Sequence, residues 1–286
     1  MIKHSLWVTG LWIMFATFSP GPAAADDCDQ LRKNVKQERS LIKKQLLLDE
    51  AIAACPNHAR LHYDKAYAQE RLRRYDEALT YYLRATELDE NFAKAYFGLA
   101  DIFVVLGNLE PAIWAYQSGL ELQPDNQRGA ASLELARIKY RSEMGERITS
   151  QEFVRVMQES REQSTTEGSL DGPILRMQIL FGISSAQLTD SAVDQLETVG
   201  TALSDPALAE QRFEIAGHTD STGVPEVNLP LSSSRAEQVK QHLVERYDIA
   251  ADRLTVAYYG DTRPAVPNDS AQNRAINRRV EFRKIR

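Results

Sequence analysis

The chain has 286 residues, a length that favours two domains. Hydrophobic residues make up 43% and charged residues 26%, with 14 Gly and 11 Pro, which excludes a wholly disordered chain and a collagen. A net charge of -6 excludes a generally basic surface, so no nucleic-acid partner is expected, and two cysteines allow one bridge rather than a disulfide framework.

Residues 1–25 have the parts of a secretory signal: Lys3, an apolar run from Leu6 to Phe18, a break at Pro20-Gly21-Pro22, and the small residues Ala23-Ala24-Ala25. The run is short for a membrane span of ~20 residues. No later stretch approaches ~18 apolar residues, so no membrane span is expected after cleavage. Asp27 stands before Cys28, where a lipid-acceptor cysteine would follow a small residue. An exported chain meets an oxidising compartment, where Cys28 and Cys55 can pair; two free buried thiols are the alternative.

Residues 59–92 and 93–126 superpose at a shift of 34, with Ala66/Ala100, Ala78/Ala112 and Tyr82/Tyr116 among the identities. This period, with small residues at the helix contacts, resembles the tetratricopeptide repeat, a pair of antiparallel helices. Gly107 is expected to close the first helix of the second unit, whereas the first unit has Arg73 at that turn and Glu90 where a proline is usual. A half unit ending at Pro56 precedes, and a capping helix over Arg128 to Tyr140 follows, so residues 26–140 form an all-α array. The resemblance implies that the first helix of each unit lines a groove. That turns Arg60, Tyr63, Tyr67, Glu70 and Arg71 inward in one unit, and Lys94, Phe97, Asp101, Val104 and Val105 in the next. Aromatic and arginine side chains dominate interface energetics, so an unidentified protein partner is expected there. The lysine and asparagine pattern that clamps a peptide carboxylate is absent.

Residues 141–172 read as a helical linker. Thr149-Ser150-Gln151-Glu152 is a capping box opening a helix with Phe153, Val156 and Met157 on one face, and Ser164 to Ser169 and Asp171-Gly172-Pro173 are turn material.

The pattern then changes. Leu175, Met177, Ile179 and Phe181 alternate as in a strand; Leu188 to Leu203 has helical period; Arg212 to Ala216 is a second strand; Ser232 to Tyr247 is a second helix; Leu254 to Tyr259 and Val280 to Ile285 are further strands. The order βαβαββ predicts an α/β domain with a mixed sheet over residues 173–286. Asp220 lies just past the end of the second strand, where open α/β sheets bind ligands. Arg235 lies in the first turn of the helix expected to be capped by Ser232. Helix-start N–H groups with a guanidinium suit a carboxylate, and the aspartate suits an ammonium, so one ligand carrying both groups would satisfy both.

The pieces Gly217-His218-Thr219-Asp220-Ser221-Thr222-Gly223, Asn228, Leu231-Ser232-Ser233-Ser234-Arg235, Tyr259-Gly260 and Asn277-Arg278-Arg279 resemble, in order and spacing, the OmpA-like peptidoglycan-binding domain. The resemblance implies that Asp220 and Arg235 hold the free amino-acid end of diaminopimelate in the peptidoglycan stem peptide. It further implies that Thr219, Asn228 and Leu231 order or line the pocket, with Asn277 and Arg278 at its rim. Gly182 stands where the family usually has an aspartate, which leaves one pocket wall open to question. His218 with Asp220 makes neither a catalytic triad nor a metal set. No cofactor, metal or catalytic constellation is expected. The expectation is therefore an exported, non-enzymatic adaptor in the periplasm of a diderm bacterium, associated with the outer membrane through a partner. The alternative is an OmpA-like fold used only as a protein-interaction module.

Residues 263–286 carry 7 basic residues and only Asp269 and Glu281 as acids, so the average acidity hides a basic C-terminal strand.

Overall fold

The computed structural model describes residues 25–159, 173–181 and 185–285. Residues 1–24 of the signal-like segment, the turn material from Ser164 to Gly172, and Gly182 lie outside the described residues. The chain divides into two compact units, one ending at Glu90 and one beginning at Asn91.

The first unit contains α1 (Ala25–Gln37), α2 (Leu41–Ala54), α3 (Ala59–Arg71) and α4 (Tyr75–Leu88). Ser40 caps α2 by accepting from the Lys43 N–H. Cys28 and Cys55 form a disulfide, tying α1 to the end of α2. Leu48, Ala51, Leu61 and Ala68 are buried around this bridge. Ala66, Ala78 and Ala85 are fully buried, and their small side chains let the helices approach. The α3–α4 turn is closed by Arg73 at a φ of 59°, the left-handed conformation that the periodicity reserves for glycine.

The second unit opens with the next repeat, α5 (Ala93–Leu106) and α6 (Leu109–Leu122), followed by α7 (Gln127–Glu143) and α8 (Ser150–Met157). Gly107 closes α5 at a φ of 82°. Phe97 lies against Gly119 and Gly129, where an added Cβ would sit 2.7 and 2.5 Å from its ring. The capping box at Thr149 and Glu152 forms as expected.

The sheet follows: β1 (Ile174–Met177), α9 (Asp190–Leu203), β2 (Arg212–His218), α10 (Pro225–Tyr247), β3 (Leu254–Gly260), α11 (Ala271–Asn277) and β4 (Val280–Ile285). The strand order is β1-β4-β2-β3, with β2 and β3 parallel and β4 antiparallel to both β1 and β2. The sheet is mixed, as expected, with one short helix, α11, added before the last strand. The first strand is shorter than its alternation suggests: it stops at Met177, and Phe181 makes only an isolated bridge to Leu188.

One face of the sheet is apolar. Leu175 and Ile215 both flank Phe282, and Phe213 flanks Leu254. This face shares a core with α9, α10 and also α8, whose Phe153 meets Phe282 edge-on at 5.8 Å between ring centroids. The segment read as linker thus contributes Ile148, Phe153, Val156 and Met157 to the core of the sheet.

The opposite face carries a buried ion-pair chain. Glu143, near the end of α7, meets Arg176 of β1; Arg176 Nε donates to Glu281 of β4 at 3.1 Å; and Arg279 donates to the same Glu281 oxygen at 2.6 Å. Burial opposes the charge on Glu281, but Arg279, His218 and Arg176 prevail and hold its carboxyl at about 2.

Candidate functional site

The parallel strands β2 and β3 end side by side, and the Thr219 N–H donates to the Gly260 carbonyl at 2.9 Å. Helix α10 returns across these ends. A Cβ at Gly217 would lie 2.1 Å from the Ser232 carbonyl, so only glycine permits this crossing. Ser232 Oγ donates to the Leu229 carbonyl at 2.8 Å and accepts from the Gly260 N–H at 3.0 Å. Ser232 is therefore a clasp between helix and strand, not a helix cap. The helix begins at Pro225, ahead of the expected start near Ser232, and its first turn takes in Asn228, which was expected in a loop. The reason is that proline at a helix start leaves no bond unmade, and Pro230 further in loses only one. Arg235 consequently stands in the body of α10, and its neighbourhood owes nothing to helix-start N–H groups.

Asp220 is 6% exposed. Its Oδ1 accepts from the Thr222 N–H at 2.8 Å and its Oδ2 from Arg278 Nη1 at 2.5 Å. Burial disfavours the charged form, but the Arg278 and Thr222 hydrogen bonds outweigh it and hold the carboxyl below its ordinary range. Asn228 is buried and donates to the Asp220 carbonyl at 3.3 Å, fixing the loop. Arg235 is 8% exposed. Its Nε donates to the Ser185 carbonyl at 3.1 Å and its guanidinium lies 4.9 Å above the Phe181 ring. Burial depresses its pKa, Arg278 adds to this and Asp220 opposes it, so all three charges share one field. No carboxylate pairs with Arg235 among the described residues. Thr219 Oγ1 is buried without a hydrogen-bond partner among the described residues, and Leu231 is half-buried beside Ser232.

One rim expectation is corrected. Asn277 is not at a rim: it is fully buried, accepting from the Ala265 and Val266 N–H groups and donating to Val266 and Asn268. It folds the 261–270 loop, and Asn268 in turn accepts from the Ser221 N–H at 3.3 Å beside Asp220. Arg278 is half-exposed and donates directly to Asp220. Reading the sequence missed Ser185, Phe181 and Asn268 as site-builders; only Phe181, at the end of an alternating run, left a signal. His218 is 2% exposed, with its Nε2 3.7 Å from Glu281.

On the repeats, Arg60, Arg71 and Lys94 are exposed, Tyr67 is 42% exposed, and Tyr63 and Phe97 are half-buried. Tyr63 meets Tyr82 edge-on at 5.7 Å. Asp101 accepts from Tyr116 Oη at 2.5 Å and from Arg128 at 3.1 Å.

Fold and site define a helical-repeat chain ending in an α/β domain with a buried aspartate and a buried arginine near the ends of its parallel strands. Comparison with known proteins agrees: residues 180–278 match the OmpA family, and residues 45–91 and 63–127 match the tetratricopeptide repeat. The chain therefore carries tetratricopeptide repeats followed by an OmpA-family domain.

Outer membrane porin F of Pseudomonas fluorescens is 48% identical over 68 residues, 24% of this chain and 21% of that protein. Peptidoglycan-binding protein ArfA of Mycobacterium tuberculosis is 35% identical over 120 residues, 42% of this chain and 34% of that protein. The cell wall anchor of the T6SS from Pseudomonas aeruginosa is 29% identical, covering 42% of this chain and 85% of that one, with a TM-score of 0.36. The chain spans only 21% and 34% of the length of these two curated relatives. Among the described residues, no helix is long and apolar enough to cross a membrane.

Proposed function

We propose that this protein is an exported adaptor of the bacterial envelope that binds without turnover, holding peptidoglycan through residues 173–286 and a protein through the repeats of residues 26–140. It works in the periplasm, joined to the outer membrane through that partner. The wall ligand is the free amino-acid end of diaminopimelate, with its carboxylate on Arg235 and its ammonium on Asp220. The observation that carries this reading is Arg235: a guanidinium only 8% exposed, with no carboxylate partner among the described residues, in the field of a buried aspartate. A buried charge without its counterion is costly, which an incoming carboxylate relieves. Asp220 has two bonds in place, and a carboxylate has about four lone-pair sites, so an ammonium can join without displacing Arg278. Similarity to a protein named for peptidoglycan binding supports the same ligand class.

Retention on purified sacculi tests the reading. Wild type is expected to be retained on diaminopimelate-containing sacculi. Asp220→Ala and Arg235→Ala are expected to lose about 2–5 kcal/mol of binding and wash off. Sacculi with lysine in that position keep the ammonium but lack the carboxylate, and should retain wild type as poorly as the Arg235→Ala protein is retained on the native wall. Equal retention of wild type and Asp220→Ala would sink wall binding and leave the OmpA-like domain as a protein-interaction module.

A further inference from the structure

The inner-face carboxylates of both repeats are already occupied. In the first unit, Asp64 accepts from Arg32 of α1 at 2.5 and 3.1 Å, and Glu70 accepts from Tyr82 Oη at 2.8 Å. In the second, Asp101 is taken by Tyr116 and Arg128. Tyr82 and Tyr116 are equivalent positions, 34 residues apart, so the same hydroxyl of each repeat consumes a carboxylate on the neighbouring helix. The cations are not consumed. Arg60 and Lys94, also 34 apart, are exposed and have no ion-pair partner among the described residues, nor has Arg71. On α3, Arg60, Tyr63, Tyr67 and Arg71 recur every three or four residues and share one face.

That face thus presents two exposed guanidiniums around a half-exposed tyrosine, with Asp64 neutralised by Arg32 and Glu70 held by the Tyr82 hydroxyl. On α5 the pattern of an exposed cation with an aromatic one turn on is repeated by Lys94 and Phe97, within its own unit. We propose that the α3 face of the first unit binds an acidic peptide segment of a partner protein, its carboxylates on Arg60 and Arg71 and an apolar or aromatic side chain against Tyr67. This rests on the reading that the repeats hold a protein, and adds the chemistry of what they hold. The chain as a whole carries a net charge of -6, so long-range electrostatics repel such a peptide and its capture requires this local arrangement.

The test uses the full chain and fluorescence anisotropy of three short labelled peptides: glutamates interleaved with phenylalanine and glycine, and the glutamine and lysine counterparts. The glutamate peptide is expected to bind best, with affinity falling as salt is raised. The Arg60→Ala/Arg71→Ala double variant should weaken it about three- to tenfold, the loss of two exposed charge contacts. Arg137→Ala, an exposed cation on α7, should not weaken it. Asp220→Ala should bind this peptide as wild type does, which separates failure of the wall site from failure here. Equal binding of the three peptides, preference for the lysine peptide, or no effect of the double variant overturns the acidic assignment while leaving the repeats as a protein-binding surface. Failure of all three peptides to bind overturns both.

Discussion

His218 closes β2 with an imidazole that is 2% exposed and makes no ring hydrogen bond among the described residues. Burial first, and then Arg279, push its pKa down to about 4, against the pull of Glu281. The sign follows from linkage. The unfolded chain takes up a proton near the ordinary histidine value of 6.5, whereas the folded chain waits until about 4. Stability is therefore full above the upper value and falls through the window between them, by up to about 3 kcal/mol. Urea unfolding of the C-terminal unit across this window should show the decline, and His218→Phe should remove its share. An identical pH profile in the variant would refute it. At this scale the place of Asp220 just past a strand end was legible, whereas Arg235, expected in a first helical turn, stands in the body of α10. Asn277 was not legible, because its four bonds come from a loop that closes over it from elsewhere in the chain. Nor does a run of two arginines say which turns outward to Asp220 and which inward to Glu281; the strand entry at Val280 decides that.

Among the elements, the repeat helices follow their sequence period closely, since a fixed spacing of small residues and tyrosines sets each crossing. The exception is instructive. Arg73 occupies the turn that Gly107 occupies in the next repeat, at φ values of 59° and 82°. A side chain there costs about 1–2 kcal/mol, partly offset because glycine adds freedom to the unfolded chain. Arg73→Gly should thus stabilise the N-terminal unit by about 0.5–1 kcal/mol, measured as a shift in its urea midpoint; destabilisation would show that contacts of the Arg73 side chain outweigh the backbone strain. The start of α10 was the least legible boundary. Two prolines and Gly223 look like a loop, yet Pro225 suits a first helical turn, and burial of Asn228 and Ser232 rewards the helical path. Strand β1 shows the converse, where apolar alternation continues beyond the pairing that β4 can offer.

For the molecule as a whole, the boundaries of the sequence motifs and of the compact units differ. The sequence pattern changes near residues 140 and 172, but the described residues divide at Glu90 and Asn91, so the second repeat, α7 and α8 belong to the unit that contains the sheet. The reason is burial: Ile138, Ile148, Phe153, Val156 and Met157 lie in one cluster with Leu175, Phe213 and Phe282. The Glu143–Arg176–Glu281 chain joins α7 to the outer face of that sheet. Replacing Phe153 by Ala alone should cost about 3–5 kcal/mol, against a typical domain stability of about 5–15 kcal/mol. A fragment starting at residue 173 loses all five of those side chains and leaves the inward face of β1 and β4 partly bare. Residues 91–286 are therefore expected to unfold in urea as one cooperative transition, with fluorescence and circular dichroism coincident. Residues 173–286 alone should show a much lower midpoint and bind a hydrophobic dye. Equal midpoints for the two fragments would mean that α7 and α8 merely rest on a self-sufficient sheet. A lower midpoint means that α7 and α8 cannot be removed without loosening the fold that positions Asp220 and Arg235.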